Sequence, residues 1–328
     1  MKALILAGGF GTRLRPLTNT RPKHLLPIAN RPHIEHVFDL LQRYGVDEIV
    51  LLTSYLAEAF DTTVERAKDR GLIVHVTHEE EPLGTAGAIK NAEAFASGGT
   101  FFVFNGDVLM DVDLDAVLAF HRARDAEATI VLTPVEDPSI YGVVPTDDTG
   151  RVLGFIEKPP REEAPTNLIN AGIYILEPSI LARIPAGEVW SAEHQLFPGL
   201  VQEGASLFAL ATGGYWMDIG TPEKYVQANL DALSGKYPDE GRAELVDGSL
   251  IGAGVGIGDG ARLKSVCVGA GVTIAAGAVV EESVLLPGAI VEADAVIRRC
   301  VLGEASTVGN GATLTGVALE DKTKADET

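Results

Sequence analysis

Lys2-Ala3-Leu4-Ile5-Leu6-Ala7-Gly8-Gly9-Phe10-Gly11-Thr12-Arg13-Leu14-Arg15-Pro16-Leu17-Thr18 is an apolar strand pattern, Lys2–Ala7, running straight into a glycine-rich turn. Glycines at 8, 9 and 11 remove side chains where backbone must approach a ligand, and their N–H groups can cradle phosphate oxygens. The spacing fits neither G-x-G-x-x-G nor G-x-x-x-x-G-K-[ST]. Outward from this turn the chain alternates. Pro32–Tyr44 is amphipathic, with Ile34, Val37, Phe38, Leu40 and Leu41 on its apolar side and Gly45 as its stop. Glu48–Thr53 reads as strand, Ala57–Arg70 as helix, Leu72–Thr77 as strand, Thr85–Ala96 as helix and Phe101–Asn105 as strand. Alternation of this kind predicts an α/β domain whose mostly parallel sheet is covered on both faces. Its last helix is Pro222–Leu233, with Thr221 as N-cap and Pro222 at the first position.

Charge sharpens the reading of the turn. The 328 residues carry 26 Lys+Arg against 46 Asp+Glu, a net charge of −20. A surface that acidic repels nucleic-acid backbones and anionic lipid, so neither is an expected partner. Yet Lys2, Arg13, Arg15, Arg21, Lys23 and Arg31 all precede the first acid, Glu35. That opening segment suits a small anion. Arg13 gives planar, bidentate phosphate binding and Lys23 a movable point charge. Cys267 and Cys300 are too few for a disulfide framework, and the opening apolar run is too short for a signal-peptide core. With no stretch long enough to span a bilayer, a cytoplasmic protein is the expectation.

From Ile251 on, a repeat takes over. Aliphatic residues fall at Ile251, Ile257, Leu263, Val268, Ile274, Val280, Leu285, Val291, Ile297, Leu302, Val308, Leu314 and Leu319, in steps of 6, 6 and 5. Two residues before most of them stands a small or β-branched residue, such as Val266, Val272, Ala278, Ala289 or Ala312. A hexad of this kind builds a triangular coil with one short strand per side, the aliphatic residue inside and the small one at the tight corner. The pattern resembles the left-handed parallel β-helix of hexapeptide-repeat proteins, in four coils. The expected organisation is therefore a catalytic domain at 1–233, a linker at 234–247, the β-helix at 248–319 and a frayed polar tail at 320–328. All seven histidines precede the linker, so the repeat offers no base for acyl transfer and reads as a scaffold for self-association.

Gly-Gly-x-Gly-Thr-Arg-Leu-x-Pro-Leu-Thr followed by Pro22-Lys23 resembles the signature of sugar-1-phosphate nucleotidylyltransferases. Five later stretches agree in family order: Glu79-Glu-Glu-Pro-Leu-Gly-Thr-Ala-Gly87, Phe104-Asn-Gly-Asp107, Phe155-Ile-Glu157-Lys158-Pro159, Ile169-Asn170-Ala-Gly172 and Tyr215-Trp-Met-Asp218-Ile-Gly-Thr-Pro222. The first and last are most similar to the versions in guanylyltransferases acting on mannose 1-phosphate. His24 departs from the pattern, standing where a second Pro is more usual. The resemblance implies a Rossmann-like nucleotidyltransferase domain and a nucleotide site formed by Leu6, Gly8, Gly9, Gly11, Thr12, Arg13, Lys23, Glu79, Pro82, Gly84, Thr85 and Asp107. It also implies a sugar-phosphate site of Gly142, Glu157, Lys158, Asn170 and Asp218. By the same resemblance Asp107 and Asp218 hold Mg²⁺, which takes one or two carboxylates plus phosphate oxygens. Read alone, either Asp is equally a turn residue, and Glu157-Lys158 an ordinary surface pair.

Base choice rests on Glu79. Guanine offers two donors on one edge, which suit a carboxylate, whereas thymine and uracil suit an amide. Relatives that use those bases carry Gln at this place. The plain alternative is a solvated Glu79-Glu80-Glu81 run. The implied reaction needs no protein nucleophile: a phosphate oxygen of the hexose 1-phosphate attacks the α-phosphorus of GTP in line and expels pyrophosphate. Arg13 would hold the β- and γ-phosphates and Lys23 the α-phosphate. The expectation is GDP-mannose synthesis. The same chemistry with dTTP or UTP and glucose 1-phosphate stays open, as does a regulatory subunit that binds a nucleotide sugar.

Overall fold

A computed structural model describes residues 1–54, 56–239 and 243–326. The opening apolar run forms β1 (Lys2–Leu6), an inner strand of a nine-stranded mixed sheet. The others are β2 (Glu48–Thr53), β3 (Ile73–His78), β4 (Phe101–Asn105), β5 (Ala128–Pro134), β6 (Gly142–Val143), β7 (Ile156–Glu157), β8 (Leu168–Leu176) and β9 (Leu207–Ala211). They follow the order β7-β6-β8-β4-β1-β2-β3, with β5 on β8 and β9 on β5. The β4-β1-β2-β3 core is parallel, and β8 runs antiparallel to both β4 and β5. Successive side chains of a strand face opposite sides. Ala3, Leu4 and Ile5 are all fully buried, so both faces of the sheet are covered. On one face Leu4, Val50, Val103, Ile130 and Tyr174 pack against Ala86 and Ile89 of α1 (Gly84–Asn91) and against Phe197 and Leu200.

Compactness cuts the chain differently from the expected linear division. One unit is Met1–Gly9 with Val37–Trp216; the other is Phe10–His36 with the described residues from Met217 on. The physical reason lies in the partners of the excursion 10–36. The Tyr225 hydroxyl donates to Pro27 O (2.6 Å), Ala29 N–H donates to the Asn229 side chain (2.9 Å), and the Asn30 amide donates to Val268 O (2.8 Å). Tyr225 and Asn229 lie on the helix Pro222–Ser234, whose cap is the Thr221 hydroxyl accepting from Lys224 N–H. Of the expected linker, 240–242 lie outside the described residues, as do 327–328 of the expected tail.

The repeat forms three parallel sheets, as expected of a left-handed β-helix, and each strand pairs with the one seventeen residues on, as in Cys267↔Val284 and Ile274↔Val291. Val268, Ile274, Val280, Leu285, Val291, Ile297, Leu302, Val308 and Leu314 are all at most 1% exposed. The small residues Val266, Val272, Ala278, Ala289, Ala295 and Cys300 are buried with them. Two corrections follow. Ile257, expected inside, is 49% exposed, because its strand pairs on one side only, at the open end of the stack. Residues 320–326, expected to fray, continue the coil: Lys324–Ala325 pairs in parallel with Thr307–Val308, and Asp321 accepts Glu304 N–H at 2.7 Å.

Candidate active site

In the first unit, β1 and β4 are parallel neighbours in the register Leu6↔Asn105, so the glycine turn and Asn105-Gly106-Asp107 leave the sheet at the same carboxyl edge. Gly106 N–H donates to Leu6 O (3.0 Å) and ties the two together. This is where open α/β sheets present ligands. Gly8 has its own reason to lack a side chain: a Cβ there would stand 2.7 Å from Ser54 Oγ, which donates to Gly8 O. Gly9 is exposed.

Beside Asp107, β8 bulges between Asn170 and Tyr174. Asn170 Oδ1 accepts from Gly172 N–H (2.9 Å), Asn170 Nδ2 donates to Tyr174 OH (2.7 Å), and the Trp216 indole donates to Ala171 O (2.9 Å). Gly172, at φ 76°, packs against the Asn105 side chain, where a Cβ would stand 2.9 Å away. Burial first, and then the charges of Glu193, Glu157 and Asp107, push the Tyr174 phenol far above its ordinary range. Glu157 faces Gly142 across the β6–β7 pair, and a Cβ on Gly142 would stand 2.9 Å from Glu157 Oε2. Lys158 turns left-handed at φ 49° and pairs with Glu157 Oε1 at 2.9 Å, its side chain still 62% exposed.

Glu79 is not solvated. It is 6% exposed, its N–H donates to Thr53 O (2.9 Å), and its Oε2 accepts from Leu83 N–H (3.2 Å). Its Oε1 is buried with no hydrogen-bond partner among the described residues. Burial raises the carboxyl above its ordinary value, against the lowering effect of the Leu83 hydrogen bond. Pro82 is exposed beside it. Gly84 and Thr85 have protein partners. A Cβ on Gly84 would stand 2.9 Å from Trp190 O, a carbonyl that accepts from both Ala86 and Gly87 N–H at 2.9 Å. The Thr85 hydroxyl donates to Glu193 (2.7 Å) and accepts from Ala192 N–H (2.7 Å).

In the second unit, Gly11 is left-handed at φ 61°, with Thr18 and Lys23 packed against its Cα and Thr18 Oγ1 donating to Gly11 O (2.8 Å). Thr12 and Arg13 follow in a short 3₁₀ turn and are exposed. Arg13 and Asp218 meet at Gly220: a Cβ there would lie 3.1 Å from Arg13 Nη2 and 2.9 Å from Asp218 Oδ1. Asp218 Oδ2 pairs with Lys224 Nζ at 3.1 Å. Two functional candidates were missed. Lys224 offers only its place in the first turn of a helix six residues after Asp218, and Glu193 stands in no motif quoted above.

No group of three or more His, Cys, Asp or Glu able to hold a metal occurs among the described residues. Mg²⁺ bound by a nucleotide needs fewer, since phosphate oxygens fill most of its positions. Asp107 in the first unit and Asp218 in the second are each a carboxylate of the kind such an ion takes.

A family described as Nucleotidyl transferase matches residues 2–235, and one described as GMPPB C-terminal domain matches 245–325. The chain is 38% identical over 285 residues to a mannose-1-phosphate guanylyltransferase of Mycobacterium tuberculosis, covering 81% of this chain and 79% of that one. It is 43% identical over 282 residues to a probable mannose-1-phosphate guanylyltransferase 2 of Arabidopsis thaliana, covering 78% and 76%. Among solved structures, HddC from Yersinia pseudotuberculosis superposes with a TM-score of 0.61 at 32% identity, over 70% of this chain and 97% of that one; it is also known complexed with GMP-PN.

Proposed function

Because the chain belongs to the nucleotidyl transferase family, we propose that it transfers the guanylyl group of GTP to mannose 1-phosphate, giving GDP-mannose and pyrophosphate. The observation that carries the base choice is Glu79 Oε1, a buried carboxylate oxygen with no hydrogen-bond partner among the described residues. The guanine N1–H and exocyclic amine supply the two donors a carboxylate takes, and thymine or uracil cannot. Relatives named for the same reaction support the substrate pair.

Arg13 binds the β- and γ-phosphates bidentately, Lys23 neutralises the α-phosphate, and the backbone of Gly8, Gly9 and Gly11 leaves room for the triphosphate. Glu157 and Asn170 accept and donate to hexose hydroxyls, Gly142 lets the ring approach, and Lys158 holds the sugar phosphate. A phosphate oxygen of the sugar attacks the α-phosphorus as the bond to the β-phosphate oxygen breaks, and pyrophosphate carries the charge away. Asp107 and Asp218 would hold Mg²⁺, which supplies charge neutralisation between the two phosphates. Lys224 aims Asp218 by pairing with its Oδ2. The chain uses cytoplasmic GTP, and the β-helix mediates self-association; a light-scattering mass equal to one chain would end that last part.

Five nucleotides crossed with mannose, glucose and galactose 1-phosphates, read by pyrophosphate release, test the reading. GTP with mannose 1-phosphate is the expected best pair. A faster dTTP or UTP reaction with glucose 1-phosphate overturns the substrate choice, and no turnover with any pair points to a regulatory subunit. Asp107→Asn is expected to cost at least ~100-fold in kcat with an unchanged circular dichroism spectrum. Near wild-type turnover in that variant discards the metal role. Chelation should likewise abolish turnover, with Mg²⁺ restoring it.

A further inference from the structure

Within the second unit, the segment that carries Gly11 and Lys23 is fastened to the last coil of the β-helix. Arg21 Nη2 lies 2.6 Å from Asp321 Oδ2 and 2.8 Å from Glu304 Oε2. Thr20 Oγ1 donates to the same Asp321 oxygen, and the Asn19 amide donates to Glu320 Oε1 at 2.6 Å. Asp321 also accepts Glu304 N–H through its other oxygen, so this one carboxylate joins loop and coil. The Asp321 side chain is 8% exposed and that of Arg21 19%, which shields the pair from the screening that weakens surface pairs. Further along, Asn30 is bonded to Val268 O and Arg31 to Asp239 at 3.0 Å. The stretch from 19 to 31 is thus held at both ends, with Lys23 between, and Gly11 packs directly on Thr18 and Lys23.

Arg21 belongs to the same basic opening as Arg13 and Lys23, yet its charge is already answered by two carboxylates. We propose that Arg21 is a positioning residue for the triphosphate: clasped by Glu304 and Asp321 of the last β-helix coil, it fixes where Lys23 and the Gly11 turn stand, so the β-helix sets nucleotide affinity. This rests on the reading that Lys23 binds nucleotide phosphate. Arg21 touches no reacting atom in it; its effect passes through the backbone of a two-residue neighbour. Of the sugar-side residues, Gly142, Glu157, Lys158 and Asn170 lie in the other unit, and Asp218, in this one, is held by Lys224 rather than by the clasped segment, so the sugar side is left alone.

The experiment is a double-mutant cycle in the full chain with Asp321→Asn, Lys23→Ala and both together, read as KM for GTP, KM for mannose 1-phosphate and kcat. Asp321→Asn is expected to raise KM for GTP about 10-fold while KM for the sugar phosphate stays within about twofold. The double variant should lose little more nucleotide affinity than Lys23→Ala alone, because both act through one segment. Arg21→Lys should retain much of the affinity that Arg21→Ala loses, and Glu304→Gln, on a more exposed side chain, gives a milder version if Asp321→Asn folds poorly. Additive losses, or parallel rises in both KM values, overturn the inference. If Lys23→Ala leaves KM for GTP unchanged, the underlying phosphate reading fails instead. A weakened Lys23→Ala beside unaffected Asp321→Asn and Glu304→Gln variants sinks the inference alone.

Discussion

At the scale of single residues, Glu79 is the side chain whose chemistry decides most. A carboxylate that is 6% exposed and receives one backbone N–H is under-satisfied, and its raised pKa follows from burial that the Leu83 hydrogen bond only partly offsets. A guanine donating to it favours the charged form, so a proton and the base compete for the same oxygens. Preference for GTP over dTTP, as a ratio of kcat/KM values, is therefore expected to be full above the raised pKa and to decline as pH falls through it. Glu79→Gln should flatten that profile and lower the ratio by about 10- to 100-fold, the worth of one charge-assisted hydrogen bond at roughly 1.5–3 kcal/mol. An unchanged ratio would leave Glu79 as a support for Leu83 alone. The residue types of the site were legible because each motif names them, but their neighbours were not. Gly84 is glycine because Trp190 O presses on it, and Lys2, Arg21 and Arg31 are cations that answer Glu48, Asp321 and Asp239. A sequence shows a charge without showing its partner.

At the scale of elements, the β-helix was the more legible half, since its period is written in burial: inside positions recur at 6, 6 and 5 whatever else changes. What the aliphatic pattern hid is how the corners turn. Left-handed residues precede the small buried ones in stacked columns, such as Gly254, Gly271, Gly288, Ala305 and Lys322, each seventeen after the last. A residue with a Cβ is strained there by about 1 kcal/mol. Ala305→Gly should therefore stabilise the unit by up to about 1 kcal/mol, and Gly288→Ala should cost a similar amount. Gly288 has only ordinary 3.9 Å contacts to Ala305 at its Cβ position, so the backbone term is isolated. Urea unfolding that moves both variants in the same direction would refute the corner argument. In the α/β half, the expected helix Thr85–Ala96 divides at Ala92 into Gly84–Asn91 and Glu93–Ala96, and nothing in the sequence marks that break.

At the scale of the whole molecule, charge and connectivity explain each other. The basic stretch 10–36 sits in the unit built mostly from the C-terminal third, and the bonds that place it there span 198 to 301 residues of chain. Separation on that scale is what no local pattern can report, and it is why the segment read as part of one linear domain. Its anchor also has a pH dependence with a definite sign. Burial pushes the Asp321 carboxyl up, but hydrogen bonds from Thr20, Glu304 N–H and Arg21, with the Arg21 charge, outweigh it and hold the group below its ordinary value of 3.8. A carboxyl lowered by folding binds fewer protons in the native state than in the unfolded one, so its stabilisation is complete above that ordinary value and disappears as pH falls through the lowered one. Denaturation midpoints of the second unit should accordingly fall, as pH drops below that ordinary value, more steeply in the wild type than in Asp321→Asn, which forfeits the contribution at neutral pH and has less left to lose. Because the pair is shielded, 0.5 M salt should leave the difference between the two proteins largely intact, whereas an exposed pair such as Lys324–Asp326 would be screened. Parallel pH profiles, or a difference erased by salt, would place the anchor's strength elsewhere than in the Asp321 charge.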